Sequence, residues 1–586
     1  MVEDVDGEII MFSDSFVLRQ RYAEDEHNVT ITVPMFEPVP PNYYINVIAD
    51  RWLHAETRLP ISFKHLILPE KFPQPTALLE LQSLPLSALH NKEFEAIYSS
   101  SLRTFNKIQT QVFQALYTSD ENIFIGAPTG SGKTICAEFA LLRLWSKAEQ
   151  PRAVCIEPFP EMVEQRVAEW KKKFGQLQGG KEIVALTGET SADLRLLEKG
   201  DVIVCTPSQV RRACSHPVSA SDNSTVGYPL KAMAATEERS KYRPAHCRRS
   251  AAGWRRSWAY LRGHHLANAV CLCTNGGENT NRRLRGVLGQ RTRFGRVDWC
   301  FVTYSLQLPA KVSFYPEDPC SFSFLTLIYS SARPLDMDIH IQSFSIPHFP
   351  SLMIAMSKPA YLAIAEYSPT KPVIIFVPGR QQCRLTAEDL LVHCGADDDE
   401  DRFLNAELSE IQPHLDHVSD RGLAETLRHG IGLYNEAFSK QDKRIVERLF
   451  QSGAIQVLIA SKARRHPCLQ FLVLTTQQDT AWSLPVSSYL VIIMGVQSYE
   501  GKEHRYVDYP VMDVLQMMGR ACRPFEDERS RCVLMSQQTR KEFYKKFLGE
   551  GLPIESHLPT HLLHDYFLAE IAVKTIENKQ DAMVTF

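Results

Sequence analysis

The sequence predicts an α/β protein with two doubly wound lobes, each built on a parallel β-sheet. From about residue 96 onward, short apolar runs alternate with stretches of helical periodicity. Such runs are typical of parallel strands that are buried on both faces and joined by helices. The runs are Ile123–Ile125, Ala153–Ile156 and Val202–Cys205 in the first lobe, then Val373–Val377, Val457–Ala460 and Leu490–Met494 in the second.

The composition is that of a globular protein with several domains. Single hydrophobic cores rarely grow beyond roughly 250–300 residues, and this chain has 586. Its net charge of −3 gives no overall nucleic-acid signature. The 14 cysteines lack metal-binding spacing, and no signal peptide or long apolar run is present. These features predict the reduced thiols of an intracellular protein.

Residues 1–95 differ from the remainder of the chain. They are rich in strand-like alternation and in prolines, and they contain no cluster of catalytic residue types. This pattern predicts a β-rich segment ahead of the first lobe.

A P-loop follows the first apolar run. Gly126–Thr134 matches the pattern G-x-x-x-x-G-K-T in full and precedes a helical stretch. Backbone N–H groups in such a loop wrap phosphates, and the helix N-terminus adds positive potential. We expect Lys133 to neutralise the β- and γ-phosphates of ATP and Thr134 to bind Mg²⁺. The expected binding residues are Ala127, Pro128, Thr129, Gly130, Ser131, Gly132, Lys133 and Thr134.

Gln109 is a further candidate for nucleotide binding. It ends the stretch Phe105–Gln109, about twenty residues upstream of the P-loop, where a planar amide could read adenine. An amphipathic helix without any binding role accounts for the same residues equally well.

The second lobe contains a candidate arginine-finger motif, Gln516–Arg523. Arg520 and Arg523 are three residues apart on an expected helix, and hence on one face. Guanidinium groups suit a γ-phosphate that gains charge in the transition state. Gln516, on the same face, could link nucleotide to nucleic acid. A surface basic helix is the alternative.

Long stretches of the chain resemble one family. From about residue 2 to 209, and from 331 to 583, the chain is similar to the second, C-terminal cassette of the two-cassette spliceosomal RNA helicases of superfamily 2 (the snRNP 200 kDa helicase family). Besides the P-loop, the matching stretches are Phe16–Asn28, Ser62–Pro69 and Ala569–Asp581. The resemblance implies two RecA-like lobes, ATP with Mg²⁺, RNA and spliceosomal proteins as partners, a nuclear location and no membrane.

The resemblance also implies a division into domains. Residues 1–95 would be the tail of a preceding β-sandwich plus a linker, and 96–331 the first RecA-like lobe. Residues 332–560 would be the second lobe, and 561–586 the truncated start of a winged-helix domain.

The Asp-Glu box that such an ATPase needs to place Mg²⁺ and water is missing after the P-loop, since residues 135–331 contain no Asp-Glu pair. Instead, residues 210–311 carry 15 arginines and five acidic residues. When the reading frame is moved by one base, Cys247–Trp254 can encode V-D-E-V-Q-L-V-G. We therefore interpret 210–311 as mistranslated, because 210–225 and 312–330 are retained introns. Residues 463–478 are interpreted as a further, in-frame insertion.

The sequence thus predicts an ATP-dependent RNA helicase module of the spliceosome that is inactive as translated. As translated, the first lobe is also expected to lack its central strands. Whether the chain is an enzyme stays open. One alternative is a catalytically weak platform that binds ATP and docks partner proteins, since even the recovered box reads D-E-V-Q. Another is a basic RNA-binding protein in which 210–311 form a disordered arm.

Overall fold

A computed structural model describes most of the chain. The residues outside the description are 17–28, 30, 32, 37, 64–78, 120–122, 128, 148–151, 158, 178, 188–189, 207–208, 210–268, 275–298, 305–323, 328–332, 334, 463–482, 501–504, 549–567, 569–570, 572–575, 577 and 582–586. The chain divides into two compact units, one of Met1–Lys71 with Leu335–Gly551, the other of Phe72–Pro334 with Leu552–Phe586. None of the described helices has the length and apolar character that a membrane span requires.

The first unit begins with a four-stranded antiparallel sheet in the order β2-β1-β3-β4. Its strands are β1 (Val2–Glu3), β2 (Ile10–Phe12), β3 (Asn42–Ile48) and β4 (Glu56–Ser62). A small core of Val2, Met11 and Tyr43 lies on one face. In the same unit, the Arg540 guanidinium lies 4.5 Å from the ring centroid of Phe12, so the sheet packs on the end of the last long strand.

A six-stranded parallel sheet forms the centre of the first unit, in the order β12-β19-β16-β13-β15-β14. These strands are β12 (Asp336–Phe344), β13 (Val373–Val377), β14 (Ile431–Tyr434), β15 (Val457–Ser461), β16 (Leu490–Met494) and β19 (Arg529–Gln537). Every residue of β13, β15 and β16 is buried, as a sheet covered on both faces requires. The parallel sheet predicted from the three apolar runs of this region is confirmed.

Helices connect these strands. They are α6 (Phe349–Tyr367), α7 (Arg380–Ala396), α8 (Leu408–Leu415), α9 (Arg421–Arg428), α10 (Lys440–Gln451), α11 (Val511–Met518) and α12 (Lys541–Phe547). A two-stranded antiparallel hairpin, β17 (Gln497–Glu500) and β18 (Arg505–Asp508), precedes α11.

The second unit contains a seven-stranded sheet in the order β11-β5-β9-β10-β6-β8-β7. Its strands are β5 (Ile123–Gly126), β6 (Arg152–Ile156), β7 (Ile183–Ala185), β8 (Val202–Cys205), β9 (Ala269–Thr274), β10 (Trp299–Tyr304) and β11 (Phe324–Leu327). Its helices are α1 (Lys92–Ser99), α2 (Lys107–Tyr117), α3 (Lys133–Lys147), α4 (Pro160–Phe174) and α5 (Thr190–Lys199).

Two expectations for this second sheet are wrong. Strand β9 runs antiparallel to both β5 and β10, so the sheet is mixed rather than wholly parallel. Strands β9 and β10 also occupy the centre of the sheet, which the sequence interpretation leaves without central strands. Both strands lie in the segment interpreted as mistranslated, and their apolar, β-favouring residues suffice for pairing.

Several expected features lie wholly or largely outside the described residues. These are the start of a winged helix at 561–586, the insertion at 463–478, the intron at 210–225 and the shifted Asp-Glu codons at 247–254.

Candidate nucleotide-binding site

The P-loop lies between β5 and α3, as the sequence predicts. Gly130 and Gly132 both have φ of +85°, a left-handed conformation that side chains with a Cβ rarely adopt. These two glycines turn the chain sharply enough for α3 to begin at Lys133. The backbone therefore has the concave turn that phosphate-binding loops use.

Two side chains from the start of α2 support this loop. The Asn106 Nδ2 donates to the Ser131 carbonyl oxygen at 3.0 Å, and the Gln109 Nε2 donates to the Gly132 carbonyl oxygen at 3.2 Å. Asn106 and Gln109 also form a reciprocal capping box at the helix N-terminus. Both ends of the Gln109 amide are thus engaged by backbone, and Gln109 positions the loop here. An adenine-reading role for Gln109 stays a prediction.

Lys133 lies partly buried against the loop. Its Nζ donates to the carbonyl oxygen of Ala127, the residue that follows β5. The pKa of Lys133 is lowered to about 7, mainly by burial; Cys136 opposes this shift and the nearby Arg333 guanidinium adds to it. A bound phosphate would stabilise the ammonium form, because an adjacent negative charge raises the pKa of an amine.

Thr134 faces a cation from the neighbouring helix. The Arg166 Nη2, on α4, donates to the Thr134 hydroxyl oxygen at 3.4 Å. The same guanidinium donates from Nε to Glu157 Oε1 at 3.0 Å and from Nη1 to Glu169 Oε2 at 2.6 Å. Burial raises the pKa of the Glu157 carboxyl to about 7, although Arg166 acts to lower it.

The P-loop residues fit a magnesium-bound nucleotide in one respect: they offer a hydroxyl oxygen, expected to be that of Thr134, as a protein ligand for Mg²⁺. The buried Ser131 hydroxyl, three residues before Thr134 in the same loop, has no hydrogen-bond partner among the described residues. Hydroxyl oxygens are hard donors of the kind that Mg²⁺ takes together with phosphate oxygens. Within the described ranges, no group of three His, Cys, Asp or Glu side chains is placed to hold a metal.

The arginine motif is positioned differently from its prediction. Helix α11 ends at Met518, so Arg520 and Arg523 lie beyond it and not on one helical face. Gly519 forms the C-cap, and Pro524 disfavours helical backbone at Arg523. Gln516 is within the helix and is buried. The prediction of a helix that carries both arginines is therefore wrong.

The two arginines have different surroundings. Burial lowers the pKa of Arg520 to about 10, with Tyr434 opposing, so Arg520 keeps its charge at neutral pH. Arg523 forms ion pairs with Glu526 and, from Nε at 3.7 Å, with Asp527. Asp527 also accepts from Lys371 Nζ at 2.8 Å. Arg523 is thus held by acidic side chains within its own unit.

Sequence reasoning did not identify Asn106, Glu157 or Arg166. An Asn followed three residues later by Gln is a capping-box pattern, so this pattern in the sequence could have identified Asn106. Glu157 and Arg166 are nine residues apart and have no motif, and only the position of α4 after β6 brings them together. Pro128 lies outside the described residues.

Over its whole length the chain is similar to U5 small nuclear ribonucleoprotein 200 kDa helicases. The Homo sapiens protein is 43% identical over 595 residues, covering 100% of this chain and 25% of that protein. The Drosophila melanogaster protein is 40% identical over the same length, with the same shares covered. The Schizosaccharomyces pombe pre-mRNA-splicing factor brr2 is 40% identical, covering 100% of this chain and 24% of that protein.

The chain spans about a quarter of the length of these U5 helicases. Residues 106–226 match the DEAD/DEAH box helicase family, and residues 1–62 match the Sec63 Brl domain. A crystal structure of the DUF1998 helicase MrfA bound to DNA and AMPPNP has a TM-score of 0.46 and 12% identity, covering 83% of this chain and 55% of that chain.

Proposed function

We propose that this chain is a nucleotide-binding module of the RNA helicase type that acts in the nucleus with the spliceosome. The observation that carries the proposal is the P-loop of Gly126–Thr134, with its left-handed glycines and with Lys133 folded back onto the Ala127 carbonyl. The names of the U5 helicase relatives supply the RNA and spliceosome parts of the proposal. The match to the DEAD/DEAH box family supports ATP as the nucleotide.

The residues of the P-loop and of the arginine motif would act as follows. Backbone N–H groups from Thr129 to Gly132 bind the β-phosphate, and Lys133 turns from the Ala127 carbonyl to the phosphates. Thr134 would hold Mg²⁺, which supplies charge neutralisation at the β- and γ-phosphates. Arg520 and Arg523 are proposed to act as arginine fingers in the hydrolysis transition state, and Gln516 to link nucleotide and RNA.

The same proposal includes very weak hydrolysis. Between the P-loop and residue 331, the chain as translated has no Asp-Glu pair to orient the attacking water and complete the magnesium site. We expect nucleotide binding to persist, because the P-loop contacts do not depend on that pair. An ATP-binding isotherm beside an RNA-stimulated ATPase assay tests this: saturable binding with background hydrolysis supports it.

The missing pair is attributed to the gene model. In this account residues 210–311 are read in a shifted frame, since 210–225 and 312–330 are retained introns. The DEAD/DEAH match extends through residue 226, and β11 lies within the second expected intron. Sequencing of the mature transcript decides the matter, because the account fails if the dominant message contains both segments.

The second candidate function is a partner-docking platform that binds ATP without unwinding RNA. The observation that favours it is the D-E-V-Q reading of the recovered box, which differs from the D-E-x-H pattern. A duplex-unwinding assay on the transcript-corrected chain separates the two functions. The platform predicts ATP binding without unwinding, whereas the motor predicts both.

A further inference from the structure

A positively charged side chain, Arg166, already lies beside the hydroxyl group of Thr134, the expected magnesium ligand. The Arg166 guanidinium places Nη2 3.4 Å from the Thr134 hydroxyl oxygen and Nε 3.0 Å from Glu157 Oε1. Nε and Nη2 lie on the same edge of a guanidinium, so a single planar group spans both oxygens. The contact therefore joins the P-loop helix to the end of β6.

Glu157 is an anchor for this cation. Its side chain is fully buried, whereas the Arg166 side chain is 12% exposed. Only one of the two Glu157 oxygens is bonded, because Oε2 has no hydrogen-bond partner among the described residues. Glu169, half exposed, provides a second acidic contact at 2.6 Å. Two carboxylates thus hold the guanidinium beside Thr134.

Arg166 and Mg²⁺ exclude one another at this position. A guanidinium stays charged at all physiological pH values, so Arg166 cannot yield the site by losing a proton. Two cations a few ångströms apart repel strongly where water is largely excluded. Mg²⁺ also requires close, near-octahedral approach of its oxygen ligands, which a donor hydrogen in front of Thr134 blocks.

We propose that Arg166, anchored by Glu157, is a built-in competitor of Mg²⁺ at Thr134 and lowers the preference of the site for magnesium-bound over metal-free nucleotide. The inference rests on the proposed nucleotide-binding function and concerns the regulation of that same site. Loading of a magnesium nucleotide requires the guanidinium to leave Thr134. The guanidinium can stay bound to the Glu157 and Glu169 carboxylates when it leaves Thr134, so the movement is a rotation of the Arg166 side chain on α4.

The test measures binding and needs no hydrolysis. The 586-residue chain is titrated with fluorescent N-methylanthraniloyl-ADP, once with Mg²⁺ and once with EDTA. The readout is the ratio of the Kd with EDTA to the Kd with Mg²⁺. We expect Arg166→Met to raise the ratio in favour of Mg²⁺ by about tenfold, within the usual range of coupling between sites. Arg195→Met, an exposed arginine on α5 in the same unit, is the matched control and should leave the ratio unchanged.

Two further variants make the test decisive. Glu157→Gln weakens the anchor, so it should also raise the ratio. A fall in Glu157→Gln would instead make the carboxylate a partner of the metal and would overturn the proposal. Arg166→Lys keeps the charge but loses the fork that spans both oxygens, and a rise of about threefold is expected even if the methionine variant does not fold.

The outcomes also separate this inference from the proposed function. If the unaltered chain binds the probe and Arg166→Met leaves the ratio within about twofold of it, the competition is refuted while nucleotide binding stands. If the unaltered chain binds the probe neither with Mg²⁺ nor with EDTA, the proposed function fails and the inference fails with it.

Discussion

The P-loop region and the arginine region prepare their charged groups in opposite ways. Around the P-loop, Asn106 and Gln109 bind loop carbonyls, and the Lys133 amine is held by a neutral carbonyl oxygen. In the arginine region, Arg523 is held by the carboxylates of Glu526 and Asp527. Lys133 contacts a carbonyl oxygen of its own loop, whereas Arg523 must leave its acidic partners before it can bind an anion. The difference indicates that nucleotide binding is built into the first region and that any catalytic contribution of the second needs a rearrangement.

The largest expected effect tests the readiness of the first region. Lys133→Ala should weaken binding of N-methylanthraniloyl-ADP by about 100-fold or more, because it removes the charge that contacts phosphate. Lys199→Ala, an exposed lysine at the end of α5, is the matched control and should bind like the unaltered chain. Equal affinities for the two variants would show that the P-loop does not bind the phosphates.

The next prediction concerns pH and Glu157. Burial raises the pKa of Glu157 from 4.5 to about 7, so the folded protein holds its proton more tightly than the unfolded chain. This contribution to stability is fully present below pH 4.5 and is lost as the pH rises through 7. The loss amounts to roughly 3 kcal/mol at most.

Thermal melting of the unaltered chain and of Glu157→Gln, at pH 5 and pH 8, measures this contribution. The melting temperature of the unaltered chain should fall more than that of the variant as the pH rises. Parallel falls would mean that Glu157 is charged in both folded and unfolded chains.

The third prediction tests the acidic contacts of the second region. Arg523→Ala removes one of two cations beside Asp527, whose side chain is only 2% exposed. We expect a loss of about 2 kcal/mol in the stability of the first unit, because a buried carboxylate loses a partner. Arg529→Ala at the exposed start of β19 provides the comparison, and urea unfolding followed by far-UV circular dichroism is the measurement. If both variants unfold alike, the ion pairs of Arg523 contribute nothing.

The smallest effect separates strain from crowding in the P-loop. Gly132→Ala would place a Cβ 2.4 Å from Gln109 Nε2 at a φ of +85°, whereas Gly179→Ala has a similar φ of +82° and open space. In both variants the left-handed backbone lowers the free energy of unfolding by about 1 kcal/mol. Gly132→Ala should lose about 1 kcal/mol more of this free energy and bind nucleotide more weakly, since Gln109 must move. Equal melting temperatures would show that Gln109 does not support the loop.

The sequence predicts the parts of this molecule that depend on local pattern. All six apolar runs are strands, and the P-loop has its expected place between a strand and a helix. Such features follow from residue period and from glycine positions, which are local. The antiparallel direction of β9 does not follow from its residues, because pairing direction depends on the neighbouring strands.

The same division holds for the candidate site. Lys133 and Thr134 could be predicted because the phosphate chemistry fixes their spacing. The helix expected to carry Arg520 and Arg523 was wrong, since Gly519 and Pro524 outweigh the spacing of the arginines. The contact of Arg166 with Thr134 depends on how α4 packs, and no spacing in the sequence encodes it.

RNA-stimulated ATP hydrolysis by the purified 586-residue chain, measured beside an ATP-binding isotherm, tests the central claim most directly. We predict saturable ATP binding, with a hydrolysis rate that RNA does not raise above that of Lys133→Ala. RNA-stimulated hydrolysis that Lys133→Ala abolishes would contradict the account, because it would show that the chain needs no Asp-Glu pair.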